Sequence, residues 1–448
     1  MKVLKSWLQD HIVETLPSDE KITEAFVFKS SEVEGVEKVK VDGKDDPVFD
    51  LKVLPDRAHY MLSHRGVAYD LCAILGLTLK EQDITLPKTG ENIIVNINSD
   101  ICRRNTATLI TNIKNSKSPQ WLKDRLEAIG GRSINAIVDA TNYSTFDTGQ
   151  PLHAFDYDKV KGKLSVRFAT EGESIETLDG KMIKLKSHHL VIADEEGPLD
   201  IAGIKGGKRA EVTLDTKNII LESANFDPVS IRKTSIEVGI RNDASKRFEN
   251  EITPHLVPKG ISKFLSILKE ISPEAKVGLM NDKFKDIPRS WSIVVRHSHI
   301  ESILNCNISE KEVIKILNSL QCKVDVNGIE YIVTPPSERL DLIIPEDIID
   351  EIGRINGLDK VKSIVPKLKT NNEFSQEYLL NEKIKDFLFD KGYSEILTRS
   401  FTNKGEVEVA YPMATDKSFL RTNINDNVIN SINLAVKNAP LLGLDEIK

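Results

Sequence analysis

The sequence lacks the features that mark secreted, disulfide-bonded and membrane-spanning proteins. Its 448 residues include four cysteines (Cys72, Cys102, Cys306 and Cys322), and no two of them form a CxxC pair. Scattered cysteines of this kind indicate reduced thiols. No run of about 18 apolar residues is present, and the opening segment MKVLKSWLQDHIVETLP has no apolar secretory core. The sequence therefore predicts a cytoplasmic protein with no membrane contact.

An excess of positive charge and the common catalytic motifs are also missing. The formal net charge is −7, which argues against a protein that coats nucleic acid non-specifically but leaves room for a local basic patch. No HExxH motif, Cys/His framework or GxSxG elbow occurs, so we assign no zinc to His188, His189, His297 or His299. The segment AGIKGGKR is not a Walker A loop, because its glycine spacing is too short.

The chain is long enough for three or four domains. Residues 1–96 alternate helical and extended segments, residues 97–285 mix α and β patterns, and residues 286–362 form a third unit of helices and strands. A polar linker is predicted over 363–375. Residues 376–448 begin with an amphipathic helix, followed by a strand over 394–401, and are few for a self-sufficient mixed domain. The pattern predicts an α+β multidomain protein and suggests a truncation at Lys448.

One internal repeat is visible between Val53–Leu77 and Val333–Leu358. Both segments run through Val, Pro and Arg to an apolar-rich stretch and a helix that ends in Gly-Leu. Two domains of related fold are therefore plausible. A cluster of acids is present only in the second copy, and Asp70 is the one acid the first copy shares with it. The fold itself does not require the other carboxylates.

The acids of the second copy are Asp341, Asp347, Asp350 and Glu351. On a helix that begins at Pro345, the last three fall within a sector of about 100°. One interpretation is a solvated first turn, which the helix dipole favours. The other is a cation site, because acids at i, i+3 and i+4 repel one another and hard oxygen ligands suit Mg²⁺.

A second group of polar residues lies in the middle of the chain. His153 is placed with Asn142 and Gln150 on loop-like backbone, and Glu222 ends an apolar strand, where an unpartnered acid is costly. Gly206 would let another group approach the backbone. Asn242 and Ala244 would belong to a pocket with a basic rim formed by Arg241, Lys246 and Arg247. Each residue taken alone has a structural role as its ordinary alternative.

Several segments carry a specific resemblance when taken together. INAIVDATNY, GQPLHAFD, RNDASKRFE and ERLDLIIPEDIIDEIGRINGL occur in the order and at the separations of the phenylalanyl-tRNA synthetase beta-subunit family. The resemblance implies winged-helix-like domains at 1–96 and 286–362 and a tRNA-binding editing domain at 97–285. It also implies that residues 376–448 begin a catalytically inert, antiparallel class II synthetase-like domain.

The same resemblance implies functional residues for hydrolysis of tyrosine wrongly esterified to phenylalanine tRNA. The family's editing positions fall on His153, Gly206, Glu222, Asn242 and Ala244. Glu222 would accept a hydrogen bond from the tyrosine hydroxyl, and a positioned water would attack the ester. Asn242 stands where the family leads us to expect threonine, so the pocket is expected to be altered.

The resemblance also implies cofactors and partners. Asp341, Asp347, Asp350 and Glu351 match the family's positions for Mg²⁺ shared with an alpha subunit, which would use ATP to activate phenylalanine. Two alpha and two beta chains would assemble with phenylalanine tRNA. The family's inserted OB-fold domain is absent, as are the rest of the inert domain and the anticodon-binding domain, so the chain is either a fragment or a reduced subunit. A stand-alone trans-editing hydrolase and a non-enzymatic nucleic-acid-binding protein are the alternatives.

Overall fold

A computed structural model of the chain describes residues 1–284, 291–361, 363–367 and 374–443. The chain forms two compact units, Met1–Ser363 and Ile364–Lys448. Six sheets and fourteen α-helices are present in the described residues, so the predicted α+β multidomain class is confirmed. None of the described helices has the length and apolar character needed to cross a membrane. The predicted domain boundary at 285/286 and residues 368–373 of the predicted linker lie outside the described residues.

The N-terminal part folds as a three-stranded antiparallel sheet covered by helices. Its elements are β1 (Lys2–Leu4), α1 (Lys5–Asp10), α2 (Asp19–Lys29), β2 (Glu32–Val41), β3 (Lys44–Lys52), α3 (Ala58–Met61) and α4 (His64–Leu75). The sheet order is β1-β3-β2. Helix α4 begins where the Ser63 side chain accepts a hydrogen bond from the Gly66 amide, and it ends at Gly76, whose φ of 67° suits glycine.

The middle part carries two larger sheets. Its elements are β4 (Val95–Ile97), β5 (Cys102–Thr111), α5 (Gln120–Ala128), α6 (Ala136–Thr148), β6 (Leu152–Asp156), β7 (Leu164–Phe168), β8 (Ser174–Glu176), β9 (Met182–Lys184), β10 (Leu190–Ala193), β11 (Pro198–Ile201), β12 (Lys205–Gly206), β13 (Ile219–Phe226), α7 (Pro228–Val238), α8 (Asp243–Phe248), α9 (Val257–Ile271) and β14 (Lys276–Phe284). The strand orders are β12-β11-β10-β7-β4 and β14-β5-β13-β6, and β8 pairs with β9. Strand β13 is buried along its whole length.

The third part repeats the topology of the first. Its elements are β15 (Ile293–Arg296), α10 (His297–Leu304), α11 (Glu310–Ser319), β16 (Lys323–Asn327), β17 (Glu330–Thr334) and α12 (Pro345–Asn356), with the sheet order β15-β17-β16. In both parts the last strand is the middle one, and the helix that closes the part ends at a glycine, Gly76 or Gly357. Apolar side chains of both parts pack into one shared core. This architecture supports the repeat seen in the sequence.

The unit that begins at Ile364 is small. It contains α13 (Gln376–Asp390), β18 (Phe401–Thr402), β19 (Val407–Glu408), β20 (Phe419–Leu420) and α14 (Asn425–Leu442), with the sheet order β18-β20-β19. The strand predicted over 394–401 forms only at its end, at Phe401. None of the side chains on α13 is buried, since few elements of this unit are available to cover them.

Candidate active site

A cavity of about 560 Å³ opens in the middle part of the chain. Residues from α6, β6, β11, β12, β13 and α8 line it. The residues predicted from the sequence all reach it, namely His153, Gly206, Glu222, Asn242 and Ala244. The structure therefore brings together side chains that lie up to 91 positions apart in the sequence. What each of them does remains a prediction.

His153 and Glu222 face the cavity because they are partners across two strands. His153 lies on β6 directly opposite Glu222 on β13. Side chains that oppose each other in an antiparallel pair project from the same face of the sheet. The prediction of loop-like backbone is wrong for His153, and also for Asn142, which lies within helix α6. The strand pairing fixes the two side chains more firmly than a loop would.

Gly206 is required by the close approach of the His153 ring. A Cβ atom built on Gly206 would lie 2.7 Å from Cε1 of His153 and 3.1 Å from Nε2. A larger side chain at this position would displace the imidazole. The group that the glycine admits is thus a side chain of the same pocket.

Asn242 closes the cavity by capping helix α8. Its Oδ1 accepts a hydrogen bond of 2.9 Å from the backbone amide of Ser245, and Ser245 Oγ accepts one of 2.9 Å from the backbone amide of Asn242. Nδ2 of the Asn242 side chain also donates to the carbonyl oxygen of Ile204. A threonine could cap the helix but lacks the amide donor. The asparagine therefore ties α8 to the loop before β12, beside Ala244.

The predicted basic rim of the cavity is wrong. Arg247 is buried and donates to the backbone carbonyl of Leu62 at 3.0 Å. Arg241 pairs with Glu249. Sequence proximity could not reveal that the two guanidinium groups turn to different partners. Lys246 is exposed.

Two buried acids of the cavity, Glu222 and Asp200, have raised pKa values. Burial raises the pKa of Glu222 well above its ordinary value, the nearby Asp200 raises it further, and a hydrogen bond of 3.0 Å from Asn105 offsets only part of this. Burial also raises the pKa of Asp200 to about 8, and it lowers the pKa of His153. The sequence analysis missed Asp200. The available signal was an acid among apolar residues in PLDIA.

The acids of the third part belong to a network of arginines. Glu351 is buried and accepts from Arg354 at 2.6 Å, Arg57 at 2.9 Å and Arg339 at 3.1 Å. Burial raises the pKa of Glu351, but Arg339 and Arg354 outweigh it and lower the pKa to about 2. Arg354 also binds Asp70, the shared acid of the first copy, at 2.9 Å. The network joins the two related parts of the chain.

Asp341 is bonded within the same network. Its carboxylate accepts from Arg339 at 2.7 Å and lies 2.9 Å from Nε2 of His59. Burial raises the pKa of Asp341, but the hydrogen bond from His59 and the charge of Arg339 hold it well below the usual range. Both carboxylates are thus neutralised by side chains of the chain itself.

Asp347 and Asp350 point elsewhere. Asp347 Oδ2 accepts from the amides of Ile343 and Ile344 at 2.8 and 2.9 Å, at the start of α12, and Asp350 is exposed. Among the described residues, His188, His189 and Glu237 are the only three ligand-type side chains close enough together for one metal ion. The expectation that the four acids converge is not met. As arranged, they do not fit a single Mg²⁺ ion.

His188, His189 and Glu237 form a local ion-pair cluster. The Glu237 carboxylate lies 2.7 Å from the ammonium of Lys186 and 3.1 to 3.2 Å from the two imidazoles. Hydrogen bonds from Lys186 and His189 lower the pKa of Glu237 to about 2. Lys186 therefore supplies a positive charge at the place where a metal ion would have to sit.

Comparisons with known proteins address the same two regions. A family profile described as the B3/4 domain matches residues 101–273, which contain the cavity. A second profile, the tRNA synthetase B5 domain, matches residues 293–358, which contain α12.

Several relatives carry the name phenylalanine–tRNA ligase beta subunit. The protein from Carboxydothermus hydrogenoformans is 38% identical over 81% of this chain and 46% of its own length. That from Protochlamydia amoebophila is 35% identical over 89% and 53%, and that from Bacillus thuringiensis subsp. konkukian is 33% identical over 94% and 55%. The chain spans about half the length of these curated relatives.

A solved structure also aligns with the chain. It is an N-terminal fragment of the phenylalanyl-tRNA synthetase beta subunit from Pyrococcus horikoshii, with 15% identity and a TM-score of 0.46 over 80% of this chain and 99% of that one. This likeness is too weak to support an inference.

Proposed function

We propose that this chain serves as the editing and architectural subunit of a phenylalanine–tRNA ligase. Its resemblance to the beta subunits of such ligases is confirmed by two matched domains and by relatives 33 to 38% identical. Activation of phenylalanine with ATP and its transfer to tRNA would take place on a separate alpha chain. The assembly would contain two alpha and two beta chains and would act in the cytoplasm on phenylalanine tRNA.

The domain assignments follow the same proposal. Residues 1–96 and 286–362 are the winged-helix-like domains, residues 97–285 form the editing domain, and the segment from residue 376 begins the inert synthetase-like domain. The repeated topology of the first and third parts supports the first assignment. The position of the cavity within residues 101–273 supports the second.

The observation that carries the proposal is a buried acid in the lining of the cavity, which can form a hydrogen bond with a hydroxyl group of a ligand. Glu222 is 7% exposed and retains hydrogen-bonding capacity beyond its bond to Asn105. A tyrosyl group would use that capacity, whereas a phenylalanyl group would leave it unmet. An unmet buried polar group costs about 1–3 kcal/mol, so the cavity selects tyrosine over the correct amino acid.

Hydrolysis at this site requires no protein nucleophile. The oxygen of a water molecule adds to the ester carbonyl carbon, the ester C–O bond breaks, and the terminal ribose oxygen of the tRNA takes a proton. Tyrosine leaves as its carboxylate, and the second proton passes to solvent. His153 is neutral near pH 7 because burial lowers its pKa, so the imidazole can accept a hydrogen bond from that water.

The test is the hydrolysis of tyrosine esterified to phenylalanine tRNA by the purified chain. We expect Glu222→Gln to lower the rate at least tenfold, because the amide oxygen would keep the bond from Asn105 and the NH2 group left facing the ligand cannot accept a hydrogen bond from the tyrosine hydroxyl. Glu211→Gln is the matched control, since Glu211 also lines the cavity but is only partly buried and pairs with Lys208. An unchanged rate in Glu222→Gln would remove Glu222 from the site.

A stand-alone trans-editing hydrolase is the second candidate. It is favoured by the fact that all the cavity residues lie within Met1–Ser363. Co-purification with an alpha chain separates the two candidates. If hydrolysis persists and no alpha chain associates under any condition, the ligase-subunit proposal fails and the hydrolase stands.

A further inference from the structure

One buried acid of the cavity, Asp200, has no role in the function proposed so far. Asp200 lies on β11 and is 6% exposed. Among the described residues its Oδ1 atom has no hydrogen-bond partner, and its Oδ2 atom lies 3.9 Å from Nε2 of His153. Buried polar atoms in folded proteins are nearly always bonded, because an unmet one costs free energy of folding. A side chain kept at such a cost points to a ligand.

The strand pairing directs Asp200 to the reacting part of the cavity. Asp200 opposes Gly206 in the β11–β12 pair, and Gly206 is where the His153 ring makes its close approach. His153 in turn opposes Glu222. All four residues line the same cavity. The His153 imidazole therefore lies 3.9 Å from Asp200, which is on another sheet, and beside Glu222 on the neighbouring strand.

This part of the cavity lacks a cation. Among the described residues, Asp200 forms an ion pair with no lysine or arginine, and its nearest basic group is the His153 imidazole. The lining contains Arg132 and Lys205, but neither is bonded to Asp200 or to Glu222 in the described structure. Two buried acids without a compensating charge form a site for a ligand that brings its own positive group.

An aminoacyl ester carries such a group. Its α-ammonium is attached to the carbon next to the ester carbonyl, while the phenol of a tyrosyl ester lies at the far end of the side chain. We propose that Asp200 receives the α-ammonium group of the bound aminoacyl ester, so that the cavity holds a tyrosyl group at both ends, by Glu222 and by Asp200. This inference rests on the editing function proposed above.

The same contact places the scissile bond. The ester carbonyl carbon is two bonds from the ammonium nitrogen, and Asp200 Oδ2 is 3.9 Å from the His153 ring. An ammonium held by Asp200 therefore puts the carbonyl beside the imidazole, where the attacking water is oriented. Asp200 would thus contribute to substrate binding and to the alignment of the reacting bond.

The test compares two esters of phenylalanine tRNA, one with tyrosine and one with 3-(4-hydroxyphenyl)propionic acid, which lacks the amino group. Hydrogen bonds to charged groups contribute about 1.5–3 kcal/mol, so Asp200→Asn should lower kcat/KM for the tyrosyl ester by about 10- to 100-fold. The rate for the deaminated ester should stay within about threefold of that of the unaltered chain. Equal losses on both esters, or no loss on either, would overturn the proposal.

Thermal unfolding separates this role from a structural one. Because Asp200 has an unmet buried oxygen, Asp200→Asn should leave Tm unchanged or raise it. A lower Tm together with equal losses on both esters would assign Asp200 to the fold instead.

Failure of the editing function itself has a different signature. The unaltered chain would then hydrolyse neither ester. Calorimetry with tyrosine methyl ester and with the methyl ester of 3-(4-hydroxyphenyl)propionic acid still decides the role of Asp200. Tighter binding of the amine-bearing ester that disappears in Asp200→Asn supports the proposal, and equal binding of both esters by the unaltered chain overturns it.

Discussion

Two pairs of buried acids in this chain have opposite surroundings. At the junction of the first and third parts, Asp341 and Glu351 are enclosed by arginines, and their pKa values are lowered. In the cavity, Asp200 and Glu222 have no cationic partner among the described residues, and their pKa values are raised. Burial acts in the same direction at both sites, so the difference arises from the partners.

The comparison separates structural carboxylates from those available to a ligand. An acid that is already bound by guanidinium groups contributes to the fold when its partners are in place, and it has little capacity left for a metal ion or a substrate. An acid that is buried without a partner destabilises the fold and is free to bind. The sequence pattern favoured the junction acids as a binding site for a metal ion. In the structure, the acids available to a ligand are those of the cavity.

Arg339→Ala is expected to cause the largest loss of stability. Arg339 is fully buried, binds both junction acids and lies over the ring of Tyr60. Removing one partner of a buried ion pair costs about 3–5 kcal/mol, which urea unfolding would measure.

The control for this variant is Arg296→Ala. Its partner is Glu330 and its side chain is 67% exposed, so the cost should be at most about 1 kcal/mol. Similar small losses in both variants would mean that the junction network does not stabilise the fold, and the contrast between the two pairs of acids would be lost.

Asp200→Asn should have a pH-dependent effect of the opposite sign. An unfolded aspartate ionises near pH 4, whereas burial raises the pKa of Asp200 in the fold to about 8. Its contribution to stability is therefore present below pH 4 and is lost as the pH rises towards 8, by at most ~1.4 kcal/mol per pH unit.

The substitution removes this loss, so the free energy of unfolding of Asp200→Asn should exceed that of the unaltered chain by a margin that grows from pH 4 to pH 8. His153 and Glu222, which face Asp200, titrate in both proteins and largely cancel in the difference. Urea titrations at several pH values measure it. A constant margin, or one that shrinks as the pH rises, would contradict the raised pKa.

Asn242→Thr should have the smallest effect. The threonine hydroxyl can still cap α8, but the hydrogen bond to the Ile204 carbonyl is lost. The expected loss is about 0.5–1.5 kcal/mol, observed as a lower Tm in thermal unfolding. An unchanged Tm would show that the asparagine is not needed to tie α8 to the loop before β12.

The sequence predicted the residues of the cavity more completely than the contacts of the junction. The resemblance supplied His153, Gly206, Glu222, Asn242 and Ala244, and all of them reach one cavity. Residue patterning by itself had already identified Glu222 as an acid next to an apolar run, but the expectation that the strand ends there is wrong, because β13 continues to Phe226. Patterning could not place His153 on the partner strand, since strand pairing is a long-range property.

The junction could not be foreseen from local periodicity. The helical spacing of Asp347, Asp350 and Glu351 predicts a shared sector, but it contains no information about Arg57, which is 294 positions from Glu351. Asp200 was missed for the same reason. Its isolation follows from the β11–β12 pairing and from the approach of His153, neither of which leaves a sequence motif.

The comparison of the two pairs of acids is tested most directly by measuring stability and hydrolysis on the same variant, Glu222→Gln. If the cavity acids are kept for a ligand, hydrolysis of the tyrosyl ester should fall at least tenfold while the free energy of unfolding is unchanged or higher. A variant that loses stability and retains full hydrolysis would contradict the account, because Glu222 would then be a structural acid like Glu351.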